Sequence, residues 1–232
     1  MINEALRSKN EINERSRNLL EKGLSIHPTC PEKSWDLSKA IKFIDERAKG
    51  KNVQVLDLGS GLPGELLVRL RRLGYRKLYG CDLKLVTGLR SLLKFIYFNF
   101  ILGLNLSRQD IEHTSYKKQQ FDFVISLSVI EHGIDLLRFF SEASRILKTG
   151  GYLIVSCDYW PLRDSQSDET DPFDRHLGKA RYFTEPDIEN MVSLAKEKGL
   201  SLIEPLDFSI RDRLVKFSGN IYTFIFFILQ KL

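Results

Sequence analysis

The sequence predicts an α/β fold: a doubly wound, Rossmann-like sheet of seven strands, mostly parallel, closed by an antiparallel C-terminal hairpin and covered by helices on both faces. Three observations predict it. Short apolar runs alternate with amphipathic helical patterns from residue 53 onward. The first of these runs opens directly into a glycine loop and then a helix. The last two strand patterns, 201–208 and 221–229, have no helical pattern between them, which suits an antiparallel pair at the sheet edge.

The first 30 residues are polar, with Glu and Arg at helical spacing, and read as a helical arm broken at His27-Pro28 and Cys30-Pro31. Asp36 to Ala48 is the first core helix, with Leu37, Ala40, Ile41 and Ile44 on one face. Trp35 stands just ahead of it, placed to help the arm close over a pocket. Val53–Leu58 is a buried strand and Glu65–Leu73 a helix closed by Gly74. Lys77–Asp82 is the second strand, 87–102 helical, 104–106 a short third strand and Phe121–Leu127 a fourth. The helix 134–147 stops at Gly150-Gly151, and Tyr152–Cys157 is the fifth strand. Thr184 with Asp187 three residues on, and Pro186 in the first turn, mark the start of the last helix. The loop 158–183 is long for a compact domain, a length that points to function.

A chain of 232 residues fits one domain. We divide it into a helical arm (1–50), a cofactor-binding core (53–157), a lid or substrate loop (158–183) and a last helix with hairpin (184–232). Three cysteines without paired spacing argue against a zinc site or disulfide framework. The irregular spacing of Asp158, Asp171, Asp174 and His176 argues against a metal centre. The charged N-terminus lacks the apolar stretch of a secretory signal, so a cytoplasmic location is expected. The apolar stretch 92–106 is too short to span a bilayer, and we read it as a buried helix and strand in preference to a membrane-surface segment. The net charge of +5 is modest for this length. The cluster Arg69, Arg71, Arg72, Arg76 and Lys77 reads as a solvated helix face, so nucleic acid is not the expected partner.

The run Val53-Gln54-Val55-Leu56-Asp57-Leu58-Gly59-Ser60-Gly61-Leu62-Pro63-Gly64 joins strand, glycine loop and helix. Glycine lets backbone approach a ligand, and the helix N-terminus offers free N–H groups. The Gly59-x-Gly61-x-x-Gly64 spacing also matches a dinucleotide fingerprint, so an NAD-dependent oxidoreductase is the rival reading. Asp82, followed by Leu83, ends the second strand, where a carboxylate can hold a ribose. Asp110 and Ile111 follow the third strand and suit an adenine amino group and ring. Ser126, Ser128, Glu131 and His132 lie at the carboxyl end of the fourth strand, where open α/β sheets bind ligands.

Asp57-Leu58-Gly59-Ser60-Gly61, Asp82, Asp110, the Phe121-Asp122-x-Val124 strand, Glu131-His132 and Leu147-Lys148-x-Gly150-Gly151-Tyr152 follow one another in an order that resembles the class I S-adenosylmethionine-dependent methyltransferases, in the type 11 small-molecule group. The resemblance covers roughly residues 53–200. It implies S-adenosyl-L-methionine as cofactor, with Asp57, Gly59, Ser60, Gly61 and Gly64 around its methionine part, Asp82 at the ribose and Asp110 with Ile111 at the adenine. One departure is that the family's third glycine falls at Pro63, with Gly64 one residue later. The rival NAD reading needs neither Glu131-His132 nor the Gly150-Gly151 entry to the next strand.

A hydroxyl acceptor needs a proton acceptor, and His132, with an ordinary pKa of about 6.5, is the first candidate. Glu131 is placed to orient it, and His176 on the long loop is the second candidate base. Asp158, Tyr159 and Trp160 follow the fifth strand and offer a carboxylate and two aromatic rings to a substrate. A thinner similarity to methyltransferases of glycan assembly ranks a saccharide or related small-molecule hydroxyl first. An RNA or protein substrate is the alternative that the positive charge favours.

Overall fold

The computed structural model describes residues 2–62, 64–162, 169–174, 176, 178–179 and 181–232. Pro63, residues 163–168, and residues 175, 177 and 180 therefore lie outside the described residues. The elements, in chain order, are β1 (Glu4–Ala5), α1 (Lys9–Glu21), α2 (Lys33–Arg47), β2 (Gln54–Leu58), α3 (Glu65–Arg72), β3 (Lys77–Asp82) and α4 (Leu89–Ile96), which runs on into a π-helical turn (Tyr97–Ile101). There follow β4 (Asn105–Arg108), β5 (Phe121–Leu127), α5 (Leu136–Ile146), β6 (Leu147–Tyr159), α6 (Glu185–Glu197), β7 (Leu200–Leu202), β8 (Val215–Phe217) and β9 (Asn220–Lys231).

The expected parallel core is present: β4, β3, β2, β5 and β6 pair in parallel in that spatial order. β9 then runs antiparallel beside β6, from Tyr152↔Gln230 to Tyr159↔Thr223. The strand number differs from expectation. Among the described residues the sheet has nine strands, with β1 and β8 as the additional short pieces, gathered with the expected β7 on β9. The reason is length: β9 is 12 residues long, far above the usual 5–6 or so. Its pairing with β6 therefore leaves backbone groups to be satisfied by Glu4–Ala5, by Leu200–Leu202 and by Val215–Phe217. The pattern at 201–208 contracts to β7, and the N-terminal arm contributes a strand as well as a helix.

Strand alternation divides the core into two layers. Phe224, Phe226 and Ile228 join Val55, Phe123 and Ile154 under α1, α2 and α3. Ile225, Phe227 and Leu229 join Leu56, Val124, Leu153 and Val155 under α5 and α6. The last helix forms as its cap predicts: Thr184 N and Oγ1 donate to Asp187 Oδ2 at 2.8 and 2.7 Å.

Three local expectations are corrected. First, α2 begins at Lys33, so Trp35 lies within the helix and is fully buried against Phe226, 6.2 Å between ring centroids. It is a core residue beneath the sheet and does not close a pocket. Second, Arg69 is not on a solvated face. It is buried, and its guanidinium donates to Ser25 O, Ile26 O and Glu65 O, tying α3 to the segment before α2. Third, α4 is not a buried helix: none of its residues, nor of the π turn, is buried.

Candidate functional site

The site forms at the carboxyl ends of β2, β3, β5 and β6. The chain leaves β2 through Gly59 (φ 78°), whose N–H and that of Ser60 donate to Cys81 O at 2.8 and 3.1 Å. A side chain at Gly59 would meet the Val129 methyls at 2.5 Å, so close approach as well as positive φ requires glycine. Gly61 (φ 60°) faces open space, and its N–H donates to Asp82 Oδ2 at 3.1 Å. The other Asp82 oxygen accepts from Lys84 N at 2.7 Å, across Leu83. Gly64, in left-handed backbone, leads into α3.

Asp57 sits beneath this loop and is buried. Burial, with the negative charges of Asp82 and Asp36, pushes its carboxyl up to about 8. Asp110 ends near β4, where Oδ1 accepts from Glu112 N at 2.9 Å and fixes the turn. Ile111 is buried beside it.

On β5, Ser126 is buried with its hydroxyl unpartnered among the described residues. Ser128 takes φ 51°, a strained value for a residue with a side chain. It is held there by Ser128 N to Ser156 O at 2.9 Å and by the Lys33 ammonium on its hydroxyl. Glu131 is buried, and neither carboxylate oxygen makes a hydrogen bond of good geometry among the described residues. Burial raises the Glu131 carboxyl, against the nearby Lys33 charge. Asp158, also buried, is driven well up by burial and by Glu131, with Lys33 and the Tyr222 hydroxyl opposing.

His132 Nδ1 lies 2.6 Å from Asp171 Oδ2. Asp171 is buried in the long loop, where its other oxygen accepts from Phe173 N at 2.8 Å. The imidazole is flanked by Phe173 and Phe217. A carboxylate on Nδ1 selects the tautomer with the proton there and leaves the lone pair on Nε2, the arrangement a general base needs.

The structure therefore gathers the glycine loop, Asp57, Asp82, Ser126, Ser128, Glu131, His132 and Asp158 at one end of the sheet. Two further expectations fail. Successive residues of β6 point to opposite faces. Asp158 shares the α2 side with Ser156, which donates to Asp36 Oδ2 at 2.7 Å, while Tyr159 is buried on the other side against Phe208. Tyr159 is thus a core residue. His176 is exposed on the loop, and its backbone N–H donates to Asp174 Oδ1 at 2.7 Å; it is not drawn to the carboxylate cluster. Trp160 is half-buried with the Arg213 guanidinium 4.2 Å above its ring.

Sequence reasoning missed Lys33, Asp36, Asp171 and Tyr222. Lys33 Nζ reaches Asp36 Oδ2 at 3.3 Å. Burial opposes its charge, but Asp36, Glu131 and Asp158 together raise its pKa. The signal for the first two was available: a helix that buries Ser34, Asp36, Ser38 and Lys39 along with its apolar face carries polar groups that need partners.

A glycine loop leaving a parallel strand, with an acid at the end of the next strand, defines a Rossmann-like cofactor domain. Residues 56–155 match the family model described as methyltransferase domain. Searched against curated proteins, the chain has no match. Among solved structures it is similar to a Galdieria sulphuraria protein assigned as a sarcosine dimethylglycine methyltransferase (TM-score 0.61, 14% identity, 96% of this chain and 98% of that one). It is also similar to geranyl diphosphate C-methyltransferase of Streptomyces coelicolor (0.60, 15%, 98% and 100%). Phosphoethanolamine N-methyltransferase 2 of Haemonchus contortus aligns likewise (0.60, 17%, 93% and 56%). Residues 56–155 thus match a methyltransferase domain, and the fold is consistent with that of the class I S-adenosylmethionine-dependent methyltransferases. The site fits that cofactor: the loop leaves Gly61 open, and the Ser126 hydroxyl, without a partner among the described residues, is buried at the same end of the sheet.

Proposed function

We propose that this protein methylates a hydroxyl group of a small polar acceptor, a saccharide or related metabolite ranking first, with His132 as general base and Asp171 as the residue that positions it. Bound S-adenosylmethionine supplies an electrophilic methyl group. In this reading the glycine loop (Gly59, Ser60, Gly61, Gly64) and Asp57 hold the methionine part. Asp82 and Leu83 hold the ribose, Asp110 and Ile111 the adenine, and Ser126 and Ser128 line the floor.

The observation that carries the cofactor reading is the sign of the charge around the loop. Gly61 N–H, the group a pyrophosphate would use, already donates to Asp82, and Asp57 lies beneath. A dinucleotide would bring two further negative charges to this place. A cofactor that carries a sulfonium and an ammonium brings cations to the place where the Asp82 and Asp57 carboxyls lie. The hydroxyl reading is supported by the His132–Asp171 pair, because an oxygen nucleophile must lose a proton whereas a neutral amine need not lose one before attack. Glu131 and Asp158 offer acceptors to a polyol, and Trp160 an aromatic edge.

Titration calorimetry tests the cofactor: S-adenosylhomocysteine is expected to bind at micromolar Kd, and NADH not to bind. The reverse would overturn the reading. A panel of saccharides, phenols and amines assayed for methyl transfer tests the acceptor, and turnover of amines alone would remove the base from its role.

A further inference from the structure

The helix formed by α4 and its π turn turns its apolar side outward. Leu89, Leu92, Leu93, Ile96, Tyr97, Phe100 and Ile101 recur at the i, i+3, i+4, i+7 spacing of a single helix face. All seven are exposed, Leu89 by 73%, Phe100 by 79% and Ile101 by 69%. The opposite side, Phe95, Phe98 and Leu102, packs on the core. A surface helix in a protein that works in water presents the reverse order. A ridge of this kind marks an interaction surface.

The charges around it choose the partner. Residues 83–109 contain no Asp or Glu, while Lys84, Arg90, Lys94 and Arg108 are basic. Lys84, Arg90 and Lys94, with Leu62 and Leu85, line a cleft of about 360 Å³ at the start of the helix. An apolar ridge with Lys84, Arg90 and Lys94 beside it is complementary to an anionic lipid surface, where side chains enter the acyl boundary and the cations meet phosphates. A second copy of the chain would set these cations against their own kind. Among the described residues no helix is long and apolar enough to cross a membrane, so the contact is peripheral.

We infer that the outer face of α4 and the π turn docks this protein on an anionic lipid bilayer. The surface adjoins the site at two points. Leu62 of the glycine loop lines the cleft. Lys84 Nζ donates to Pro172 O at 3.3 Å, next to Asp171 in the loop that positions His132.

Vesicle flotation of the full chain tests this, with vesicles of phosphatidylcholine alone and of phosphatidylcholine mixed with an equal part of phosphatidylglycerol. The protein is expected to float with the mixed vesicles and much less with the neutral ones. The double variant F100D/I101D is expected to lose binding at least about tenfold, with an unchanged melting temperature because both side chains are exposed. The variant R90Q/K94Q is expected to lose about fivefold per charge removed and to respond less to salt. Absence of binding to either vesicle would overturn the inference. So would full binding by F100D/I101D, which would mean that charge alone acts. Sedimentation showing a dimer that F100D/I101D dissociates, without vesicle binding, would assign the ridge to a second copy of the chain and overturn it too.

Discussion

The Nδ1 atom of His132, at the end of β5, lies 2.6 Å from a carboxylate oxygen of Asp171, 39 residues further along the chain. The loop between β6 and α6 is thereby attached to the strand end where the carboxylates gather. Removing the imidazole with His132→Ala is expected to lower kcat about 10²–10⁴-fold once an acceptor is in hand, with S-adenosylhomocysteine affinity little changed. Asp171→Asn is expected to lower kcat less and to shift the acid limb of the pH–rate profile. Methyl-transfer assays across pH check both, and an unaltered profile in Asp171→Asn would leave the pair a structural contact.

Asp82 makes two backbone hydrogen bonds, to Gly61 N and to Lys84 N. Asp82→Ala is expected to weaken S-adenosylhomocysteine binding about 10- to 100-fold, the scale of hydrogen bonds to a charged group. Calorimetry reads it directly, and unchanged affinity would remove Asp82 from the cofactor site. Asp82→Asn, which keeps one acceptor oxygen, is expected to fall between.

Gly59 combines positive φ with a contact at 2.5 Å to the Val129 methyls. Gly59→Ala is expected to destabilise the protein by about 2–4 kcal/mol, strain and overpacking acting together. At Gly61, where φ is 60° but space is open, alanine is expected to cost about 1 kcal/mol. Urea denaturation of the two variants separates the steric contribution from the conformational one.

Asp57 titrates at about 8 in the fold, against an ordinary 3.8. Between these values the folded chain holds a proton that the unfolded chain has lost, so protein without cofactor loses stability as the pH rises from about 4 to about 8. Asp57→Asn cannot ionise, and its advantage over the parent protein is expected to widen across that window. Urea midpoints at a series of pH values check this, and parallel curves would contradict the raised pKa.

What was legible in the sequence was what is encoded locally. The run Val53–Leu58 into the glycine loop, and the Thr184–Asp187 box, carry their geometry in adjacent residues, and both form as read. The carboxyl ends of β3 and β5 followed from the same local reading. Asp171 enters the sequence reading only among the residues whose spacing argues against a metal centre, because nothing near it in sequence names its partner. Chemical type alone suggests a pocket for Trp35 and Tyr159. The phase of α2 and the alternation of β6 send both into the core. The helix over 87–102 forms as Leu89–Ile96 and the π turn, but an apolar run does not say whether protein lies on its apolar side, and none of these residues is buried. The same limit applied to Arg69, whose partners are the carbonyls of Ser25 and Ile26, more than 40 residues away.

The position of β9 also governs the order in which the molecule can be completed during synthesis. It lies between β6 and β1 in space, yet it emerges from the ribosome after every other strand. Until residues 220–231 are out, Glu4–Ala5 has no strand to join, and β6 presents a bare, apolar edge to the cell. Through that interval the backbone groups of β6 that β9 takes in the finished fold are left without the strand that pairs with them.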